Sequence, residues 1–350
     1  MKRSIFTRFV APSVLLMFTL LAMPLLVTFY LSVRNCSVEM ETIKVQQSGP
    51  FGTTESVTQQ AKLDAQGRPV RTCQYVGLAY FKSVLGLSSE GALSTVDNET
   101  AAANAQGGTP AGTASSYNNV NRSREFTGAL QFTLLYTLVT TPLVLLVGFM
   151  VALGVNAATQ RLKAVFITAS LLPFIITPVV GALAIKWMFR DGGLVPHVLS
   201  QFDVSIFWMA QAWSARLLII LYGVWHSAPF AFIVLYAALQ SVPQDSLEAA
   251  TIDGASRWQK LRYITLPHLM PLIVFVALIH VMDAYRVFEP VVVLTQGAFT
   301  TSVQYLTYHT LVVENNPFKA SAAAVLTTLG IAVLLIPLLI KTWKEQQRGA

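Results

Sequence analysis

Three ionisable residues interrupt one of the most apolar stretches of the chain. Asp283, Arg286 and Glu289 follow one another at intervals of three residues within the apolar run 270–294. In a helix this spacing places them along one face, where neighbouring members can pair. Charged groups inside a membrane segment are costly and mark either a functional path or an internal ion pair. The spacing therefore predicts solute-path lining, structural neutralisation, or both.

Aromatic residues accompany these charges. Tyr285 and Phe288 lie among them in sequence, and Trp225 lies in the preceding apolar run, 217–240. Aromatic faces can stack on a ligand ring, although at helical spacing they more often serve packing or interfacial anchoring. We count Tyr285, Phe288 and Trp225, with the three charged residues, as candidates for a path through the membrane.

Motifs for enzymatic chemistry are missing from the sequence. It contains no G-x-x-x-x-G-K-[ST] phosphate loop, no H-E-x-x-H and no G-x-S-x-G. Its Cys and His residues show no metal-ligand spacing. The sequence therefore predicts a chain that is not itself an enzyme and has neither a metal site nor a cofactor of its own.

The composition indicates a membrane protein. Hydrophobic residues make up 54% of the chain and charged residues 12%, whereas charged residues approach about a quarter of a soluble domain. A spanning helix needs about 20 mostly apolar residues. Six runs meet this length, which predicts an all-α membrane protein with six transmembrane helices. The runs are 10–32, 129–155, 164–189, 217–240, 270–294 and 321–340.

The basic residues predict the orientation of these helices. Lys and Arg cluster near both ends of the chain and in two alternate connections, a distribution that marks the cytoplasmic side. Both termini, including the tail 341–350, are therefore expected in the cytoplasm. The net charge of +7 comes from scattered cations without interleaved aromatic residues, which argues against nucleic-acid binding.

A long connection, 33–128, separates the first two predicted helices and is expected outside the cytoplasm. Its part from Gly86 to Asn121 is rich in Ala, Gly, Ser, Thr and Asn, a composition that predicts partial disorder. Cys36 and Cys73 both fall in this connection, on the side of the membrane where disulfides persist. We expect them to pair. The alternative is two free thiols, because sequence separation does not fix their distance.

A polar segment, 241–270, lies between the fourth and fifth predicted helices. Asp245 followed by Glu248 is typical of a helix N-terminus, and Gly254 is suited to ending that helix. A second short helix, 256–264, is expected to lead to Pro267 at the start of helix five. Taken singly, Glu248 and Gly254 could be no more than a capping residue and a turn.

Taken together, these residues resemble a known motif. Glu248-Ala249-Ala250, then Asp253-Gly254-Ala255, then Ile264-Thr265-Leu266-Pro267 resemble the cytoplasmic loop of permease subunits in binding-protein-dependent ABC importers, in the carbohydrate-uptake, maltose-type branch. The resemblance extends from about Phe126 to the end of the chain. One departure is Gln296-Gly297-Ala298-Phe299, which stands where that family usually has Gly-Gly-Pro after Leu-Thr.

The resemblance implies a function and a set of partners. It makes residues 129–340 the transmembrane domain of a subunit that imports a sugar, an oligosaccharide or a polyol across a bacterial cytoplasmic (inner) membrane. The loop would form a coupling helix docked on an ATPase dimer, and those ATPases would bind ATP and Mg²⁺. A second permease subunit and a periplasmic solute-binding protein would complete the complex. The implied docking residues are Glu248, Ala249, Ala250, Asp253, Gly254 and Ala255.

Other functions remain open on the sequence alone. The same fold could carry another solute, such as glycerol phosphate, an amino acid or a peptide. Arg286 is compatible with an anionic solute, so this alternative remains open. An ion-coupled carrier should show inverted repeats, and no such symmetry is visible. A membrane-anchored sensor would need a cytoplasmic signalling domain, whereas the tail after Lys341 is short.

Overall fold

A computed structural model describes residues 3–49, 52–64, 67–68, 70–87, 114–203 and 205–348. The chain is mostly helical and divides into two compact units. Met1–Phe126 and Thr307–Leu326 form the first unit, and Thr127–Leu306 and Thr327–Ala350 form the second.

The helices follow one another along the chain with two π-helical turns among them, at Leu261–Thr265 and Val291–Thr295. The α-helices are α1 Arg3–Ser32, α2 Ala79–Leu85, α3 Ala114–Ala157, α4 Gln160–Ile175, α5 Pro178–Phe189, α6 Leu194–Ser200, α7 Ala212–Gln240, α8 Gln244–Ile252, α9 Arg257–Lys260, α10 Leu266–Ala284, α11 Val303–Val312 and α12 Pro317–Arg348.

Five helical segments in the described part of the chain are long and apolar enough to cross a membrane. A sixth span results if α4 is counted as one span with α5 and α6, which follow it after a sharp bend. The number agrees with the sequence prediction only in this coarse sense. Several bounds differ, because α3 begins at Ala114 and not at 129, and because α11 was not predicted at all.

The predicted third span, 164–189, is wrong as a single helix. α4 ends at Ile175, α5 begins at Pro178, and the chain bends by 94° between them. Thr177 is extended, with ψ at 142°, because a residue that precedes proline is pushed out of the helical region. Pro178 then starts α5, where its missing N–H costs little.

The predicted bounds of the fifth span, 270–294, are also wrong. The backbone is helical from Arg257 through the first π-turn to the end of α10 at Ala284, so no separate short helix ends before Pro267. The Leu266 N–H donates to the Leu261 carbonyl five residues back. This wider turn accommodates Pro267 without ending the helix.

The connection after α1 contains β-strands, so the prediction of an all-α chain is wrong for this part. β1 Arg34–Val38 pairs with β4 Arg71–Tyr75, and β2 Met40–Gly49 pairs with β3 Gly52–Ala61, both antiparallel. Of the stretch Gly86–Asn121 that was predicted to be partly disordered, residues 114–121 lie in α3 and residues 88–113 lie outside the described part.

Cys36 and Cys73 face each other in the β1–β4 register and are joined by a disulfide. Nearby, Glu39 accepts hydrogen bonds from the Thr72 hydroxyl at 2.7 Å and from the Lys62 ammonium at 3.1 Å. These two bonds and the charge of Lys62 hold the pKa of Glu39 below its ordinary value. The disulfide and this polar cluster therefore connect β1 and β4 to the neighbouring backbone.

The second unit is built on α3, α7 and α10. At one level, Val144 of α3, Ala231 of α7 and Val276 of α10 pack together. Gly148 lets α3 approach α7 closely, since a Cβ at this position would overlap Ala231 and the Phe232 backbone. Close approach through small residues is typical of helices packed in a membrane.

Candidate functional site

A cavity of about 290 Å³ opens within the second unit. Four of the six path candidates line it, namely Asp283, Arg286, Phe288 and Glu289. The remaining lining residues come from α3, α7, α10, the segment between α10 and the second π-turn, the start of α5 and the start of α11. They are Tyr136, Pro178, Tyr222, Gly223, His226, Ser227, His280, Ala284, Val287, Pro290 and Gln304.

The charged residues reach this cavity because α10 ends early. The last helical residue is Ala284, and the next N–H groups close tight turns, with Arg286 N–H donating to the Asp283 carbonyl at 3.0 Å. The Ser302 hydroxyl donates to the Val287 carbonyl at 2.6 Å and fixes this turn. The expectation of one continuous helical face is therefore wrong, although all three charged residues line the same cavity.

None of the three charged residues forms an ion pair with another residue in the described part of the chain. Asp283 and Arg286 are exposed, and Glu289 is half-buried. Among the described residues, the predicted neutralisation of these charges by direct ion pairs is therefore absent. The charges face open space, where a solute, water or a partner chain can reach them.

Two rings of α7 form an ordered part of the cavity wall. Tyr222 and His226 stack with their ring centroids 5.8 Å apart and their planes within 6°. The Tyr222 hydroxyl donates to the Pro178 carbonyl at 2.6 Å, and His226 Nδ1 lies 2.9 Å from the Pro173 carbonyl oxygen. A carbonyl oxygen only accepts, so Nδ1 of His226 is the protonated nitrogen.

Sequence reasoning missed several residues of this wall, including Tyr136, Ser227 and Gln304. A signal for Tyr136 existed in the hydroxyl residues that share its helix. Thr133, Thr137 and Thr140 are fully buried, and each donates to the carbonyl four residues back. Such a polar stripe on an apolar helix indicates a face that is turned away from lipid.

Two of the predicted path residues are not part of the cavity lining. Tyr285 is only 2% exposed and packs beside Gly330, where a Cβ would overlap its hydroxyl. Trp225 is exposed and reaches the cavity wall only through Tyr222, with ring centroids 6.0 Å apart. Tyr285 therefore acts in packing in this structure.

The segment after the second π-turn carries the sequence departure noted at Gln296–Phe299. Gln296, Gly297 and Phe299 all have positive φ, at 51°, 81° and 61°. The Tyr305 hydroxyl donates to the Gln296 carbonyl at 2.7 Å, and Arg216 Nε donates to the Phe299 carbonyl at 3.2 Å. These bonds hold a conformation that costs non-glycine residues energy.

Lys186 of α5 is a further residue that the sequence reasoning missed. Its ammonium donates to the Val293 carbonyl at 2.8 Å, in the second π-turn. A π-turn leaves carbonyl groups without their usual helical donors, and a cationic donor satisfies one of them strongly. Lys186 therefore ties α5 to the chain segment that follows the charged residues.

The second candidate site is the polar segment 241–270, called here the coupling segment. α8 begins at Gln244 after Pro243, and Asp245 lies in its first turn without capping it, so the predicted capping role of Asp245 is wrong. The capping box in this segment is formed by Ser256 and Gln259 at the start of α9. Gly254 has φ at +78° between the two helices.

The coupling segment is fixed to the long helices by its apolar side chains. Leu247 of α8 and Ile264 pack against a buried cluster that includes Val155 of α3, Leu239 of α7 and Leu269 of α10. The Lys260 ammonium donates to the Thr251 hydroxyl at 2.9 Å and links α9 to α8. These contacts connect α8 to three of the long helices of this unit.

The outer surface of the coupling segment is available for contact. Glu248, Ala249, Asp253 and Gly254 are exposed, and Ala250 and Ala255 are half-buried. Three large apolar side chains are also exposed on the segment, and sequence reasoning did not assign them to a docking surface. They are Ile252 at 86%, Trp258 at 70% and Tyr263 at 74% exposed. Exposed aromatic and apolar side chains of this kind are typical of protein contact surfaces.

In the described part of the chain, no group of three or more His, Cys, Asp or Glu side chains is arranged to hold a metal ion. The two sites therefore offer a polar cavity and a protruding surface. One is suited to holding a polar solute, and the other to contacting another protein.

Comparison with known families identifies the class of protein. Residues 108–345 match the family described as "Binding-protein-dependent transport system inner membrane component". The chain belongs to this family. The members are membrane components, which agrees with the prediction that the chain is not itself an enzyme.

Individual relatives are sugar transport permeases. The chain is 34% identical over 200 residues to the trehalose/maltose transport system permease protein MalF of Thermococcus litoralis, covering 55% of this chain and 67% of the relative. It is 31% identical to the arabinooligosaccharides transport system permease protein AraP of Halalkalibacterium halodurans, covering 62% and 71%. It is 32% identical to the trehalose transport system permease protein SugA of Mycobacterium tuberculosis, covering 62% and 70%.

Solved structures show the same fold. A bacterial ABC transporter involved in the import of the acidic polysaccharide alginate contains a chain that superimposes with a TM-score of 0.60 at 22% identity, covering 72% of this chain and 91% of the other. A second structure, of a bacterial alginate ABC transporter with a periplasmic protein bound to an alginate pentasaccharide, gives a TM-score of 0.58 at 24% identity, covering 64% and 81%.

Proposed function

We propose that this chain is the permease subunit of an ATP-driven importer that carries a sugar, an oligosaccharide or a polyol across a bacterial inner membrane. The family membership and the sugar permeases among its relatives support this function. Both termini and the coupling segment would face the cytoplasm, as the distribution of basic residues favours.

One observation carries the proposal: the coupling segment protrudes from the apolar unit while it is packed into the ends of the long helices. α8 exposes Glu248, Ala249 and Asp253, and Leu247 anchors the same helix to the buried cluster. A surface of small residues permits close approach by another protein, and a carboxylate such as Glu248 can accept bonds from an Arg of that protein. Closure of an attached ATPase dimer would therefore move the long helices.

The partners follow from what this sequence lacks. It has no phosphate loop, so ATP and Mg²⁺ would bind to the separate ATPase subunits. A second permease subunit would cover part of the apolar surface of the membrane helices, including exposed Phe174 and Val179 beside the bend between α4 and α5. A periplasmic solute-binding protein would deliver the solute.

Solute would pass through the cavity that Asp283, Arg286, Phe288 and Glu289 line. Its unpaired charges offer hydrogen bonds, the kind of contact that a polyhydroxylated solute can use. Movement of α7 and α10, which carry the walls and also anchor the coupling segment, would open this cavity alternately to each side.

The test is uptake of maltose and maltotriose by the complete complex in proteoliposomes, with ATP hydrolysis measured in parallel, for a pair of glycine variants. Gly254 and Gly192 have φ at +78° and +77°, and a Cβ at either meets no atom within 4 Å. A β-branched residue at positive φ therefore strains both positions similarly. We expect Gly254→Val to abolish uptake and its coupling to ATP hydrolysis, and Gly192→Val to retain both.

Two results would contradict the proposal. Unchanged coupling in Gly254→Val would remove the coupling segment from the mechanism. Transport that persists without MgATP and follows an ion gradient would identify an ion-coupled carrier, the alternative from a different class of transporter.

A further inference from the structure

The cavity carries more negative than positive charge. Asp283 and Glu289 contribute two carboxylates to its lining, and Arg286 contributes a single guanidinium. The other side chains with titratable groups in the wall are His226, His280, Tyr136 and Tyr222. Among the Asp, Glu, Lys and Arg side chains of the lining, one negative charge is in excess.

These charges are not neutralised by direct ion pairs with described residues. Neither carboxylate forms an ion pair with Arg286 or with another residue in the described part of the chain. An ionised carboxylate only accepts hydrogen bonds, and a guanidinium only donates them. A bound solute must therefore supply several donor groups for the carboxylates and fewer acceptor groups for Arg286.

The uncharged groups in the wall do not reverse this preference, because the Tyr136 and Ser227 hydroxyls and the Gln304 amide can each donate or accept and so favour neither sign of charge. The Tyr222 hydroxyl and His226 Nδ1 are committed to the Pro178 and Pro173 carbonyls, so they have no proton left to offer an anion. His280 lies 3.3 Å from the Thr140 hydroxyl and is mostly buried. Arg286 is consequently the single cationic group on the cavity lining in the described structure.

We propose that the cavity selects saccharides by charge, accepting neutral and amino-bearing saccharides and rejecting those that carry carboxylate or phosphate groups. Asp283 and Glu289 are the specificity-determining residues. Hydroxyl and ammonium groups donate to carboxylates, whereas an anionic substituent brings like charge next to the two carboxylates and is repelled by them. This inference rests on the proposed function, because it narrows the solutes of the same cavity.

The proposal separates this chain from its structural neighbours in one respect. The superimposed transporters are those of the acidic polysaccharide alginate. Likeness in fold therefore does not predict likeness in the charge of the solute, which depends on the side chains that line the cavity.

The experiment measures the electrostatic potential of the cavity without needing the natural solute. Ser227 lines the cavity, and both native cysteines are held in the disulfide, so Ser227→Cys introduces a single free thiol. The assembled complex is treated with a cationic trimethylammonium methanethiosulfonate and with an anionic sulfonate methanethiosulfonate. The modification rate with the cationic reagent is divided by the rate with the anionic reagent. This quotient is divided by the same quotient for 2-mercaptoethanol, which gives the corrected ratio. Gln304→Cys is the second reporter if the first variant does not assemble.

We expect the corrected ratio to favour the cationic reagent by on the order of tenfold, since two carboxylates lie on the same cavity wall. Adding Asp283→Asn and Glu289→Gln should bring the ratio to one or below. The control pair, Asp191→Asn with Asp203→Asn, removes two exposed carboxylates that do not line the cavity and should leave the ratio unchanged.

A corrected ratio of one or less in the unneutralised reporter, or a ratio that the Asp283 and Glu289 changes do not alter, would overturn the proposal. Saccharide uptake by the same complex distinguishes this failure from that of the proposed function. Uptake driven by MgATP without cationic preference would refute charge selection alone. Cationic preference without uptake of any saccharide would refute the proposed function instead.

Discussion

Single residues set how closely the membrane helices of the second unit approach. At Gly148 an added Cβ would meet Ala231 and the backbone nitrogen of Phe232, whereas at Gly154, six residues further along α3, it would meet no atom within 4 Å. Backbone atoms of a neighbouring helix cannot move aside as a flexible side chain can. The same substitution should therefore have opposite effects at these two positions.

We expect Gly148→Ala to lower the free energy of unfolding by about 1–3 kcal/mol through overpacking. Gly154→Ala should be neutral or should raise it by up to about 1 kcal/mol, because alanine is the better helix former. The measurement is the midpoint of thermal unfolding of the purified chain in detergent. A Gly148→Ala midpoint equal to that of Gly154→Ala would contradict the close approach of α3 and α7.

Residue types alone predicted part of both sites. Charge inside an apolar run was sufficient to select Asp283, Arg286 and Glu289, since burial without function is costly, and all three line the cavity. Tyr136 and Ser227 escaped because an uncharged Tyr or Ser in an apolar run does not stand out, and Gln304 escaped because it lies between the predicted spans. Their role depends on which helix lies opposite, and a single sequence without pairing information does not contain this.

At the scale of elements, the break between α4 and α5 and the end of α10 are features that the hydropathy of the sequence did not predict. The apolar run 164–189 is continuous in hydropathy, and only Pro178 with the extended Thr177 indicates the break between α4 and α5. The end of α10 at Ala284 has no proline at the break. It depends on tertiary bonds such as the one from Ser302 to the Val287 carbonyl, which no local pattern encodes.

The strands between α1 and α2 provide an element-scale prediction. The Cys36–Cys73 disulfide closes a loop with a sequence separation of 37 that contains β2, β3 and the whole polar cluster of Glu39, Lys62 and Thr72. Closing a loop of this length stabilises a fold by about 4 kcal/mol in the chain-entropy description. Its loss should therefore loosen this region selectively.

We expect Cys36→Ser with Cys73→Ser to increase tryptic cleavage after Lys62 and Arg71, and reduction of the unaltered chain with dithiothreitol should do the same. Cleavage sites within residues 127–306 should be unaffected, which makes them the internal control. Limited proteolysis read by mass spectrometry makes the measurement. Equal cleavage at Lys62 and Arg71 with and without the disulfide would show that the strands are held by other contacts.

At the scale of the whole molecule, the apolar surface of the helices requires a bilayer. α1 is almost entirely exposed along its membrane-spanning part, and large apolar side chains such as Phe166, Leu172 and Ile175 are exposed on α4. The family consists of inner membrane components that work with binding proteins. Composition and the coupling segment indicated this membership from the sequence, because both depend on local residue patterns.

The number of spans was predictable only coarsely at this scale. Hydropathy gives the length of each apolar run, and five helices or six, depending on the bent pair, agree with it. Hydropathy does not give the strands of the connection after α1, because their polar Thr, Gln and Ser residues are also typical of irregular loops. Whether these residues form strands depends on pairing between segments such as β1 and β4, which are far apart in the sequence.

The most direct test of the central claim is co-purification of the tagged chain from its native membrane, with every partner identified by mass spectrometry and Gly254→Val and Gly192→Val treated alongside. We expect the unaltered chain and Gly192→Val to recover a second permease and an ATPase, and Gly254→Val to recover less of the ATPase while keeping the permease. Recovery of the chain alone, or of the ATPase in equal amount with Gly254→Val, would contradict the account.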